Sequence, residues 1–287
     1  MSVPSFSDLG QSARNVFSTG YHYGKSLIKL VAKKTGDNFD VNTDLALDCD
    51  AKKLSGTAGA VYKTQDYGSF LQKWTMDGTL VVGYILRNGT PISDVGLRSE
   101  ISYNPGTDDK AIKIGANCSK ENFSALCSIS SDMNSNVNIL GSIVTAIKGL
   151  LIGYQAGYSS ETNKMTKNDL GMAFNFYDVD FHLRCNTIPH EFGLSLLYKV
   201  NEDWETAVNG LVSKNGGIQD STVGAAAKYN IDERSTFRCK FNTDLQLGMS
   251  LQQKLDDTVT VSLSCNVDCA NVTRGGHKVG FALEIEG

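Results

Sequence analysis

The sequence contains no apolar run approaching the roughly eighteen residues that a membrane-crossing helix needs. Its nearest approach, NILGSIVTAIKGLLIGY, is interrupted by Lys148. Proline is scarce, with only Pro4, Pro91, Pro105 and Pro189, and the last three read as turn markers in a chain whose abundant glycine suits many short connections. The seven cysteines, Cys49, Cys118, Cys127, Cys185, Cys239, Cys265 and Cys269, are odd in number and contain no C-x-x-C pair. That excludes a disulfide framework and a zinc site and leaves them as small hydrophobes. His22, His182, His190 and His277 show no metal-ligand spacing, and no nucleophile or phosphate-loop constellation appears, so no metal, no cofactor and no enzymatic activity is expected. A net charge of -4 without any basic block excludes a nucleic-acid partner. The N-terminus lacks a basic stretch followed by an apolar one, which predicts synthesis in the cytosol without a cleaved leader.

What is present is a period of two. In EFGLSLLYKV, Phe192, Leu194, Leu196, Tyr198 and Val200 share one parity, with Glu191, Gly193, Ser195 and Lys199 on the other, the signature of a strand with one apolar and one polar face. Leu197 is an apolar intruder on the polar side, and parity gives no account of it. Six further segments alternate in the same way: WETAVNGLVSK, STVGAAAKYNI, STFRCKFN, DLQLGMSLQ, TVTVSLSCNV and HKVGFALEIEG. Their starts recur about every 14 residues, a strand of roughly ten plus a short turn, and ten is what a tilted strand needs to cross a hydrocarbon layer. Soluble strands average nearer five or six. KIGANCS, DLGMAFNFY and DVDFHLRCN continue the pattern less cleanly.

Two architectures therefore compete, a soluble sandwich or ligand carrier with its apolar faces inward and a membrane barrel with them outward. A mean hydropathy of -0.20 does not separate them, because alternating faces average out. Strand length favours the all-β transmembrane barrel. The first twenty residues differ: in PSFSDLGQSARNVFSTGY the residues Phe6, Leu9, Ala13, Val16 and Phe17 recur at helical spacing, with Ser5, Ser7 or Asp8 to start and Gly20 to stop a short amphipathic helix. Its expected place is either an interface or the inside of the barrel wall.

Several stretches in order, PSFSDLGQSARNVFSTGYHYG, DYGSFLQKWTMDGTL, LIGYQAGY, EFGLSLLYKVNEDWETAV, AAAKYNIDERSTFRCKFN and NVTRGGHKVGFALEIEG, resemble the voltage-dependent anion channels, the mitochondrial porins of the eukaryotic outer membrane. The resemblance covers essentially the whole chain. It implies nineteen strands with the amphipathic helix in the lumen, dividing the chain into a helix at 1–20, a glycine hinge at 21–25 and a barrel at 26–287. It also implies a voltage-gated pore in the mitochondrial outer membrane, passing ions, ATP, ADP and other small anions by passive diffusion, with lipid as its surroundings and a homo-oligomer allowed. Basic residues on the inner face would set ion preference, and on matching positions these are Arg14, Arg98, Lys113, Lys228, Arg238, Lys240 and Lys278. Gly20 and Gly24 match the family's hinge, with Lys25 and Ser26 inserted. The related pore of the protein-import machine shares the fold, but DLGQSARNVFSTGY resembles the metabolite porins.

The chain also departs from the family. Relatives carry lysine where Gln11, Thr19 and Ala270 stand, which with the net charge of -4 predicts weakened anion preference. Many place a lipid-facing glutamate where this chain has Gln72. Glutamine cannot ionise, so carbodiimide reactivity, calcium sensitivity and hexokinase docking are not expected to carry over.

Overall fold

A computed structural model describes residues 3–23, 28–48, 53–64, 68–86, 95–132, 136–215 and 218–287. Among them nineteen strands follow one another: β1 (Ile28–Thr35), β2 (Phe39–Asp48), β3 (Lys53–Thr64), β4 (Gly68–Thr75), β5 (Leu80–Leu86), β6 (Val95–Asn104), β7 (Asp109–Ser119), β8 (Phe123–Asp132), β9 (Val137–Ile147) and β10 (Leu150–Ser159). They continue as β11 (Lys164–Phe176), β12 (Val179–Asn186), β13 (Glu191–Lys199), β14 (Trp204–Asn215), β15 (Ile218–Asn230), β16 (Ser235–Asn242), β17 (Gln246–Lys254), β18 (Val259–Asp268) and β19 (Lys278–Glu286). All seven segments with clean alternation are strands β13 to β19. The apolar stretch broken by Lys148 is the β9–β10 hairpin, and Lys148 and Gly149 both adopt left-handed backbone at its tip, φ 50 and 87. Pro105 and Pro189 lie in turns, while Pro91 is outside the described residues.

Each strand pairs antiparallel with its chain neighbours, and the sheet closes where β1 meets β19 in parallel. Closure leaves no open edge, so backbone N–H and C=O groups are satisfied by neighbouring strands, the condition for a sheet surrounded by hydrocarbon. An odd strand number forces the one parallel seam. There Lys33 Nζ meets Glu286 Oε1 at 2.9 Å, and the Gly287 N–H donates to the Lys33 carbonyl at 2.9 Å.

The apolar parity faces outward. Phe192, Leu194 and Tyr198 are about half exposed, at 50%, 45% and 49%, and the same holds for large hydrophobics on strand after strand. A soluble carrier would bury that face, so the outward orientation corrects the soluble alternative. Aromatic residues gather near strand ends on the outside, as in the Trp204–Tyr229 pair with centroids 5.3 Å apart, the placement expected at a membrane–water interface. Gln72 also faces outward, between Phe70 and Trp74 on β4 and opposite Ala60 and Val82.

Inside the barrel, residues 3–23 lie against the wall. The predicted continuous helix is in two pieces, a 3-10 turn over Phe6–Asp8 and α1 over Gln11–Ser18. Gly10 separates them with φ 69, and a Cβ there would run into the His182 ring. Ser5 starts the first piece, its N–H and Oγ both donating to Asp8 Oδ2, at 3.3 and 2.7 Å.

Candidate functional site

The lumen is the only interior the fold makes among the described residues, and its geometry is set by how the N-terminal segment is seated. Two apolar clusters fix it. Ala13 and Val16 of α1, joined by Phe17, pack on Leu197, Ala207 and Ala226 from β13, β14 and β15. Val3 and Leu9, with Phe6, pack on Val144 of β9 and on Leu151 and Ala173. Leu197 is 2% exposed. Its apolar side chain on the polar parity is thus explained: it is the wall's contact for the helix.

Glycines on the inner parity clear the rest of the path. A Cβ on Gly153 of β10 would lie 2.8 Å from Phe6 and 2.9 Å from Leu9, and one on Gly224 of β15 would lie 3.2 Å from Phe17. At Gly280 of β19 it would collide with the His22 backbone. Polar bonds tie the ends. The Val3 N–H donates to the Lys120 carbonyl at 3.3 Å, Ser250 Oγ to the Gly20 carbonyl at 2.5 Å, and the His22 N–H to Ser264 Oγ at 3.0 Å. Gly20 has φ 83, a left-handed backbone that favours glycine, and its absent Cβ leaves room for Arg238 Nη1. Gly24, Lys25 and Ser26 lie outside the described residues.

Of the seven basic residues expected to set ion preference, the structure brings three to the N-terminal segment. Lys240 Nζ donates to the Phe17 carbonyl at 2.7 Å and sits 4.1 Å from the Tyr21 ring centroid and 5.5 Å from that of Tyr23. A cation at a helix C-terminus meets the negative end of the helix dipole, and half-burial weakens the competition from water. Arg238, 8% exposed, donates to Gln252 Oε1 at 2.8 Å beneath Gly20. Arg14 donates from its guanidinium to the Ser7 carbonyl, bracing the two helical pieces. The linker residues they hold are desolvated: burial raises the Tyr21 phenol above its ordinary range and pushes Tyr23 up to about 12.

The other four stand on the open wall. Arg98 is paired with Glu100, Nε to Oε1 at 2.7 Å, and Lys228 with Glu205 at 3.4 Å. Lys113 on β7 faces Glu100 and Ser130 in register, and Lys278 faces Asn266, neither in an ion pair among the described residues. Lys63 and Asp40 make another wall pair at 2.8 Å. Sequence reasoning passed over His182 and Arg184, which share the inner face of β12 with the helix start. The signal was available, since both are cationic types on the polar parity of DVDFHLRCN.

This arrangement can conduct. A polar, water-facing wall surrounds the lumen in which the segment is seated, and in a wide polar lumen hydrated solutes keep their water while the summed wall charge acts on them as a weak field. The sequence pattern of eukaryotic porins matches residues 2–280. The chain is 33% identical over 285 residues to "Non-selective voltage-gated ion channel VDAC2" of Xenopus laevis, covering 99% of each chain. To the protein of the same description in Homo sapiens it is 33% identical over 285 residues, covering 99% of this chain and 95% of that one. To "Non-selective voltage-gated ion channel VDAC1" of Ovis aries it is 31% identical over 292 residues, covering 99% and 98%. A solved chain described as "Asymmetric conductivity of engineered proteins" overlays with a TM-score of 0.46 and 11% identity, covering 80% of this chain and 89% of that one, a likeness too slight to bear on the fold.

Proposed function

The chain belongs to the eukaryotic porin family, a family of non-enzymatic membrane channels, and on that premise we propose that it is a voltage-gated, weakly selective pore of the mitochondrial outer membrane. Ions, adenine nucleotides and other small metabolites cross it by diffusion. The observation that carries this reading is the inside-out distribution of polarity: apolar side chains ring the closed sheet while Lys, Arg, Asp, Glu and Ser line the lumen. Voltage gating is the activity by which its relatives are named and fits a barrel with charges on its wall and an internal charged segment.

Weak selectivity is supported by charge pairing. Lys33, Lys63, Arg98 and Lys228 each face a wall carboxylate within salt-bridge distance, and Lys240 and Arg238 are engaged beneath the N-terminal segment. A permeating anion therefore meets few uncompensated cations. Reconstitution of the purified protein into a planar bilayer tests the proposal. Large, voltage-dependent conductance with a reversal potential close to zero in a salt gradient is the expected result. Absence of conductance overturns the pore, and a strongly anionic reversal potential overturns the weak selectivity.

A further inference from the structure

We infer that the lipid-facing side of the barrel carries a binding site for one soft monovalent metal ion, Cu(I) in chemical class, held between Cys265 of β18 and Met249 of β17. The site goes beyond the pore reading and lies across the wall from the lumen.

Sulfur is gathered in one place on the outer face. Cys239, Met249 and Cys265 form a row across β16, β17 and β18, Cys239 pairing with Met249 and Met249 with Cys265 in strand register. All three have the outward parity, because their chain neighbours Arg238, Ser250 and Ser264 turn inward, where Ser250 and Ser264 bond the N-terminal segment. The other described strand cysteines have no sulfur opposite them: Cys118 pairs with Val95 and Ala125, Cys127 with Ala116 and Gly141, and Cys185 with Leu170 and Phe192.

The row is recessed. Met249 and Cys265 are half-buried, whereas Leu263 and Val279 beside Cys265 are 54% and 59% exposed. Both sulfur residues line a cavity of about 700 Å³ whose walls include Phe237, Leu251 and Phe281, and no charged side chain takes part in it. Lipid tails can fill such a recess, but they offer a metal ion no donor.

Strand geometry sets the spacing. Directly opposed residues on antiparallel strands hold their Cβ atoms about 4.5–5.5 Å apart. Two metal–sulfur bonds of about 2.3 Å placed in line span about 4.6 Å, so an ion between Met249 and Cys265 requires no strand to move, and the flexible methionine stem takes up the difference. Cys239 lies two strand spacings from Cys265, roughly 9–10 Å, so the two thiols cannot share one ion.

Charge then selects the ion. One thiolate and one monovalent cation make a neutral unit, to which the thioether adds nothing. A divalent ion on the same pair leaves a net positive charge at hydrocarbon depth, which is costly. Among the described residues no three His, Cys, Asp or Glu side chains come together, so the four-ligand set of a structural zinc site is missing, while thiolate and thioether are the ligands that favour Cu(I). Loading is a ligand exchange without change of oxidation state. A small thiol carrying Cu(I) yields the metal to Cys265, one Cu–S bond forms as another breaks, and the Cys265 proton leaves on the displaced thiol.

The test titrates Cu(I) anaerobically into the whole reduced chain folded in detergent, with bicinchoninate as the competing chromophoric ligand. One equivalent should be withdrawn from the competitor more tightly than any other, and X-ray absorption of that species should show two sulfur neighbours. Met249→Leu conserves volume on the lipid face and keeps every thiol; it should weaken this equivalent about tenfold or more, as should Cys265→Ala. Cys239→Ala and Cys127→Ala should leave it unchanged, and Zn(II) in about tenfold excess should not displace it. Wild-type affinity in Met249→Leu, an equal loss in Cys127→Ala, or displacement by Zn(II) each overturns the site.

Discussion

Lys240 of β16 donates to the carbonyl of Phe17, 2.7 Å away, so a cation from the barrel wall caps the C-terminal turn of the helix inside it. The same ammonium lies over Tyr21 and Tyr23. Carbonyls at a helix end lack intrahelical partners, and this one is satisfied by a charged donor in a partly desolvated place. Replacing Lys240 with Met keeps the aliphatic stem and removes the charge. The docked segment should lose about 1–3 kcal/mol, read as faster hydrogen exchange over residues 11–18 and noisier open-state current.

Leu197 supplies the wall's apolar contact for Ala13 and Val16. Leu197→Ala leaves a cavity beneath α1 and should cost about 2–5 kcal/mol of docking. Leu194 is on the same strand but faces lipid, and Leu194→Ala should leave exchange in the helix unchanged. Equal effects of the two substitutions would contradict the assignment of faces.

Gly153 and Gly210 form a second contrast. A Cβ on Gly153 meets Phe6, Leu9 and Val144, whereas nothing lies within 4 Å of one on Gly210. Gly153→Val should displace the first part of the segment at a cost of about 1–3 kcal/mol. Gly210→Val should be tolerated, and spin-label distances from residue 7 to the wall distinguish the two.

His22 gives the docked segment a pH dependence. Burial, reinforced by Lys29 and Arg238 and opposed by Glu284, lowers its imidazole below the ordinary 6.5. The docked state therefore holds the neutral ring, while a released segment takes up a proton at about pH 6.5. Docking is at full strength above that pH and weakens as pH falls toward the depressed value. Tryptic cleavage after Arg14 should accelerate between about pH 7.5 and about pH 5 relative to an unfolded control peptide, and His22→Gln should flatten the trend.

Gln72 faces the hydrocarbon layer between two aromatic side chains. A hydrophobic carbodiimide should leave the wild-type protein unlabelled at position 72 and label Gln72→Glu. Labelling of the wild type at this position would place a reactive carboxylate where the sequence has none.

The strand pattern was legible because lipid on one side and water on the other impose strict alternation on each strand. From β13 to β19 it could be followed residue by residue. Leu197 broke that pattern because a third environment, the internal helix, lies on the water side, and no local period records a contact with residues 13 and 16. The glycines Gly153, Gly224 and Gly280 carry the same information in weaker form, as small residues on the polar parity, but they become a path only when the strands are placed side by side. The break at Gly10 was hidden for a related reason: helical spacing runs through its left-handed backbone, and the His182 ring that leaves no room for a side chain there comes from a strand far along the chain. Basic residues on the inner parity were identifiable, whereas their division into wall pairs and helix anchors depends on cross-strand register.

The seam between β1 and β19 joins side chains 253 positions apart, Lys33 and Glu286. Every other neighbour pair in the wall is made of consecutive strands, so assembly can proceed by adding one hairpin after another until eighteen contacts exist. The last contact has a different character: it requires the full circumference to be present and brings together the chain's earliest and latest strands. Until residues 278–286 arrive, the sheet has two unpaired edges, each a template for the wrong partner. Completion is therefore a single late event governed by the C-terminal strand, and a chain shortened by that one strand would accumulate as an open, association-prone sheet rather than as a slightly narrower tube.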